Sequence, residues 1–188
     1  MRIVPFSAGS HSFNTMEHPT ARLIMVMGLP GSGKTYFAKA LAAHIGATHY
    51  NSDRIRKEAT QAVRYTDADK ARVYEDLFAR VTEALAQGGT VIVDATFSKA
   101  AYRQAYVQWT AAHKVPVHLL YMEAAEAVIA ERVGKKRPDS DADFAVYQKI
   151  KADYEPIAEN YQVLRSDEGS TAERIAQALA YMHQHSPR

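Results

Sequence analysis

An apolar run, Leu23-Ile24-Met25-Val26-Met27, leads straight into Gly28-Leu29-Pro30-Gly31-Ser32-Gly33-Lys34-Thr35. Beyond it Phe37, Ala40, Leu41 and Ala43 recur at helical spacing until Gly46. A strand that ends in a glycine-rich turn and opens a helix confines the chain to few architectures. The glycines let the backbone turn sharply and present several N–H groups, and the helix N-terminus adds its partial positive charge. Such a turn cradles phosphate oxygens. The full pattern G-x-x-x-x-G-K-[ST] is present, which adds an ammonium for the outer phosphates and a hydroxyl for a magnesium ion. The stretch therefore predicts a site for ATP with magnesium. Gly28, Pro30, Gly31, Ser32, Gly33, Lys34, Thr35 and Tyr36 are its expected contacts, with Lys34 also serving catalysis.

The remainder alternates apolar runs with helical patterns, which is the signature of an α/β fold with a parallel sheet. Further strands are expected at Thr48–Asn51, at Thr90–Val93, at Val117–Tyr121 and at Tyr161–Leu164. Helices are expected at about 67–87, 99–113, 124–133, 142–154 and 171–184. Ser52 or Asp53 is placed to cap a short helix after the second strand, and Thr66 or Asp67 to cap the long one. The reading is a three-layer P-loop NTPase fold with a central parallel sheet of about five strands and a helical lid. A single domain spans residues 21–188, with the lid at about 132–145. Residues 1–20 read by composition as a disordered extension.

Composition narrows the chemistry. The 188 residues carry no cysteine, which excludes disulfides, zinc-thiolate sites and a thiol nucleophile and fits a cytoplasmic location. A balance of 23 basic to 21 acidic side chains speaks against indiscriminate polyanion binding, though a local basic groove remains compatible with it. No apolar stretch is long enough for a spanning helix, so no membrane association is expected. The eight histidines show no metal-binding spacing. Trp109, Tyr102 and Tyr106 read as helix packing. No obligate protein partner is evident.

Residues at strand ends complete the site. In a doubly wound sheet the carboxyl ends of the strands face the ligand crevice. Asp94 ends the run Val91-Ile92-Val93 and is the expected second magnesium ligand beside Thr35. Thr96 is close enough in sequence to add a hydroxyl. Asp53 follows the second strand and is placed to take a proton from a hydroxyl nucleophile. Arg56 lies one helical turn on, where it can hold an anionic acceptor. The basic run Arg132, Lys135, Lys136, Arg137 precedes Asp139, Asp141 and Asp143, a composition suited to a lid over ATP. Arg132 and Arg137 are the candidates to stabilise charge in phosphoryl transfer.

With these residues in place, the chain from about Arg22 to Leu164 resembles the P-loop kinases that include the 5′-kinase domain of polynucleotide kinases, small-molecule kinases and zeta-toxin-like kinases. Four segments carry the resemblance: Gly28–Thr35, Ser52-Asp53-Arg54-Ile55-Arg56, Val93-Asp94-Ala95-Thr96, and Arg132–Asp143. It implies that Asp53 is the general base, Arg56 the contact to an acceptor phosphate and Asp94 the strand-three carboxylate. The spacing of the lid's basic residues departs from that family, so Arg132, Lys136 and Arg137 stay in competition. The implied activity is ATP-dependent phosphotransfer to a hydroxyl, on a small molecule or a polynucleotide 5′ end. A purine site is expected near 165–170. A nucleotide-hydrolysing switch would use the same loop. A kinase inside a larger nucleic-acid repair protein would add a fused domain or partner.

Overall fold

A computed structural model of the chain describes residues 21–58, 66–135 and 143–185. The elements run β1 (Arg22–Met27), α1 (Lys34–Ile45), β2 (Thr48–Asn51), α2 (Ser52–Glu58) and α3 (Asp67–Ala86). They continue with β3 (Thr90–Asp94), α4 (Ala100–Ala112), β4 (Val117–Glu123), α5 (Glu126–Gly134), α6 (Phe144–Ala152), β5 (Tyr161–Arg165) and α7 (Thr171–Gln184). All five strands are parallel, in the order β2-β3-β1-β4-β5. The expected sheet and three layers are therefore present.

Side-chain alternation along the strands builds those layers. Leu23, Met25 and Met27 of β1, with Val91 and Val93 of β3, pack against Leu77 and Val81 of α3 and Tyr106 of α4. Ile24, Val26 and Ile92 pack on the opposite face against Phe37 and Leu41 of α1 and Ala178 of α7. Both faces of β1 are thus buried, which is why its sequence is uninterrupted hydrocarbon. A satellite cluster of Ile129, Val133 and Tyr147 joins α5 to α6 and touches Leu29 of the glycine-rich turn. Tyr106 and Trp109 lie in or against the main core, as helix-packing residues should.

Two helix starts sharpen the sequence reading. Thr66 caps α3 in a capping box with Asp69. α2 is capped by neither Ser52 nor Asp53, which are already helical. Asn51, the last residue of β2, does it, its Oδ1 accepting from Arg54 N at 2.8 Å. The strand runs into the helix without a loop, so the capping position falls on the strand's own end.

Among the described residues no helix is long and apolar enough to cross a membrane. The extension 1–20 and the lid tip, including Lys136 and Arg137, lie outside the described residues.

The far end of the sheet carries a pH-sensitive element. His118 of β4 is 1% exposed, and neither ring nitrogen has a hydrogen-bond partner. Burial first, then the nearby Arg22 and His185, push its pKa down from 6.5 to about 4. The unfolded chain therefore takes up this proton at a higher pH than the folded one. Stability from this group is full above about pH 6.5 and is lost as pH falls toward about 4. His118→Leu is expected to flatten that decline. In urea melts its loss of stability between pH 7 and 4 should be smaller than the wild type's by about 3 kcal/mol. Parallel declines would rule out His118 as the source.

Candidate nucleotide and phosphoryl-transfer site

The glycine-rich turn closes between β1 and α1, with Ser32 N donating to Leu29 O at 3.1 Å. Gly33 caps α1 in the left-handed region and offers no side chain to its first turn. The leading N–H groups of the helix are therefore left for an external anion. Gly28, Pro30, Gly31 and Ser32 are buried in the turn, Lys34 and Thr35 are partly exposed, and Tyr36 is 70% exposed. The Ser32 hydroxyl is buried without a partner, so the turn contains unspent polar capacity.

The strand order brings the predicted metal side together. β3 lies directly beside β1, and Asp94 is in register with Val26, one residue short of the end of β1. β2 lies beside β3, with Asn51 opposite Asp94. Asn51 Nδ2 donates to Asp94 Oδ2 at 2.8 Å and lies 3.4 Å from Thr35 Oγ1. His49 Nε2 approaches the same Asp94 Oδ2 at 3.4 Å. Asp94 is fully buried and its other oxygen, Oδ1, has no hydrogen-bond partner. An orphaned carboxylate oxygen in such a place is costly unless a cation meets it. Oxygen donors of this hardness suit magnesium, which commonly takes one or two protein oxygens and completes its shell with water and phosphate. The residues fit the ion: Thr35 and Asp94 would hold it.

Asp53 and Arg56 also come together. Arg56 Nη1 donates to Asp53 Oδ1 at 2.7 Å across one turn of α2, and both side chains are about four-fifths buried. The sequence reading placed the two on one face but assigned Arg56 to the acceptor; in the structure it also holds the carboxylate. Tyr74 of α3 lies close enough to feel both charges, and burial raises its phenol well above the ordinary range.

The loop after β3 contains features the sequence reading missed. Phe97 adopts a left-handed conformation, φ 53°, unusual for a side chain of that size. Two contacts fix it. Its N–H donates to Tyr74 Oη at 3.1 Å, and its carbonyl accepts from Arg103 Nη1 at 2.7 Å. Arg103 is 1% exposed and also donates to the carbonyl of Glu155, while Tyr154 Oη donates to Thr96 O. Thr96 is therefore held at its carbonyl, beside the fixed Phe97. An arginine in a helical pattern carries no sequence signal of burial; its carbonyl partners explain it.

On the lid side, Arg132 reaches the turn directly. Its Nη1 donates to Gly31 O at 3.2 Å and to Ser166 Oγ at 2.7 Å, and Nη2 to Ser166 O at 3.3 Å. Of the two predicted lid arginines, Arg132 is thus placed over the turn; Arg137 falls outside the described residues. The loop after β5 is stiffened by Arg174, which donates to the carbonyls of Arg165, Glu168 and Gly169. Asp167 in that loop accepts from Ala125 N at 2.7 Å, and this bond, aided by Arg165, holds its carboxyl below the usual range.

Comparison with known proteins agrees with this arrangement. A sugar kinase from Janibacter sp. HTCC2649 superposes with a TM-score of 0.66 at 22% identity, over 88% of this chain and 95% of its own. The Mycobacterium tuberculosis APS kinase CysC, bound to AMPPNP and APS, gives 0.67 at 18% identity, over 88% and 99%. Kti12 of Chaetomium thermophilum, bound to ADP-AlF3, gives 0.70 at 20%, over 88% and 100%. These likenesses establish the P-loop kinase fold. An uncharacterized protein of Mycobacterium tuberculosis is 28% identical over 94 residues, which is 44% of this chain. The aligned stretch is 19% of that relative's length, and the chain spans well under two thirds of the curated relatives it matches. A family profile described as an AAA domain covers residues 23–157, nearly the whole stretch from β1 to the segment before β5, and the chain belongs to that family.

Proposed function

We propose that the chain is an ATP-dependent phosphotransferase that moves the γ-phosphoryl group of ATP to a hydroxyl acceptor. One observation carries this reading: the ends of β1, β2 and β3 bring the phosphate turn, the Thr35–Asn51–Asp94 group and the Asp53–Arg56 pair to one edge of the sheet. A nucleotide site alone would not need a held carboxylate at the end of β2.

In this mechanism the turn amides and Lys34 bind the phosphates, and Pro30, Ser32 and Tyr36 belong to the same nucleotide-facing segment. Magnesium, held through Thr35 and Asp94, would supply charge neutralisation for the phosphates. Asp53 accepts the proton from the acceptor hydroxyl as that oxygen bonds to the γ-phosphorus. The bond from the γ-phosphorus to the β-bridging oxygen breaks, and ADP leaves with that electron pair. Arg56 orients Asp53 and carries the positive charge that an anionic acceptor would meet. Arg132 is the residue proposed to meet charge on the phosphates, a reading supported by its bond to Gly31 O of the turn.

The acceptor is a small molecule or a polynucleotide 5′-hydroxyl, in a cytoplasmic setting. The sugar kinase and the APS kinase among the similar structures support the first. The test is incubation with γ-labelled ATP, magnesium and a panel of sugars, nucleosides and 5′-hydroxyl oligonucleotides. Label is expected in one class. Label in none, under conditions where ATP binds, would remove this reading and favour the nucleotide-hydrolysing switch.

A further inference from the structure

We propose that Asn51 is a positioning residue that ties the magnesium-side carboxylate to the acceptor helix, so that the two halves of the site are set by one side chain. The inference rests on the phosphotransferase reading of the same site and extends it to a residue outside the set expected from sequence.

The argument is one of hydrogen-bond capacity. An asparagine amide has a donating end and an accepting end, fixed relative to each other by a planar group. Asn51 is 6% exposed, and both ends are engaged. The accepting end takes Arg54 N at 2.8 Å and so caps α2, the helix that bears Asp53 and Arg56. The donating end gives a 2.8 Å bond to Asp94 Oδ2 and lies 3.4 Å from Thr35 Oγ1. These contacts tie the ends of β2 and β3 to the first turn of α1, Thr35 and Asp94 lying 16 and 43 residues from Asn51 in sequence.

The consequence for Asp94 is directional. Asn51 and His49 both address Oδ2, and Oδ1 is left buried without a partner. The Asn51 bond therefore selects which carboxylate oxygen is presented. It also fixes the rotation of a carboxylate that would otherwise turn about its last side-chain bond. Partners behind metal-binding oxygens act in this way, and their removal typically lowers metal affinity about 10- to 100-fold. If the cap alone mattered, any good capping residue would serve at position 51. Serine caps well, but its hydroxyl sits on Cβ and has neither the reach nor the second arm to bond Asp94 while capping.

The two roles are separable with Asn51→Ser and Asn51→Ala. Calorimetric binding of AMPPNP is measured with excess EDTA and again at saturating magnesium, on the full chain. The wild type is expected to bind more tightly with magnesium. Asn51→Ser is expected to keep its affinity in EDTA, yet lose about tenfold of the magnesium-dependent gain. Asn51→Ala is expected to lose the same gain and also to expose the amides of residues 52–58 to faster hydrogen exchange, which serine should protect. A serine variant with the wild-type magnesium gain would overturn the proposal and leave Asn51 a simple cap. Equal exchange in the serine and alanine variants would also overturn it, since the cap would then not be the accepting end's role. A wild type with no magnesium gain removes the metal reading itself, and the proposal with it. That outcome is distinct because it shows before any variant is made.

Discussion

Gly28→Ala is expected to abolish useful nucleotide binding while leaving the sheet intact. Gly28 is the first residue past β1 and sits at φ 142°, a conformation strained for any residue with a Cβ. An added Cβ would lie 2.5 Å from the carbonyl oxygen of Met122 and 2.8 Å from Ser32 Oγ. The first of these is backbone of the neighbouring strand β4 and cannot swing aside. Backbone strain of about 1–3 kcal/mol adds to overpacking of about 1–3 kcal/mol. The strands are buried on both faces, so the least costly relief is for the turn to leave its phosphate-binding shape. The penalty then appears as affinity, on the order of 100-fold or more for AMPPNP, since 1.4 kcal/mol is a factor of ten. Gly31 makes a useful contrast. Its added Cβ would meet Val133 Cγ1 at 2.9 Å and Ile129 Cγ2 at 3.0 Å, side-chain ends of α5 that can give way. Gly31→Ala shares the backbone strain, at φ 82°, but its steric part should cost less affinity because α5 can move outward. Calorimetry with AMPPNP and a thermal melt distinguish these outcomes. If Gly28→Ala binds as the wild type does, the turn is not the phosphate site.

What could be read in the sequence was local. The glycine-rich turn, the helix that follows it and the burial of β1 are written in consecutive residues, so each was visible without knowing what lay across the sheet. The same holds for Asp53 and Arg56, whose approach needs only one helical turn. Asp94 was legible as a strand end, but its neighbours were not. Which strand lies beside β3 depends on the order β2-β3-β1-β4-β5, and that order follows from packing of whole elements, not from the composition of any one. Asn51 was read as plain strand, and the cap of α2 was sought one or two residues too late, because no loop separates strand from helix. Arg103 belongs to the same class. Nothing in its helical pattern marks it for burial, yet the structure buries it to hold the carbonyls of Phe97 and Glu155. Arg132 was one of several candidates, and its bond to Ser166 in the loop after β5 was not visible in the sequence. For Asp94, for Arg103 at Glu155 and for Arg132 the missing information was a partner tens of residues away.

Asp53→Asn separates chemistry from binding, and its expected effect on turnover is the largest of any single side chain here. The change keeps size and shape but leaves no carboxylate to take the acceptor's proton. A positioned general base contributes about 100- to 10,000-fold, so phosphoryl transfer should fall by that order. AMPPNP affinity should be nearly unaffected, because Asp53 belongs to α2, not to the turn between β1 and α1 that cradles the phosphates. The structural cost should also be small. Arg56 loses the charge of its partner but keeps an amide oxygen to donate to, so the 2.7 Å bond is weakened and not abolished. A companion Arg56→Gln variant sorts the two residues. If Arg56 mainly orients Asp53, the loss should appear in kcat with any acceptor. If it grips an anionic acceptor, KM should rise for phosphorylated acceptors and stay put for neutral ones. Single-turnover transfer of labelled phosphate, read beside AMPPNP calorimetry on the same preparations, gives both quantities. Equal loss of transfer and nucleotide affinity in Asp53→Asn would mean that Asp53 supports the fold of the site and is not its base.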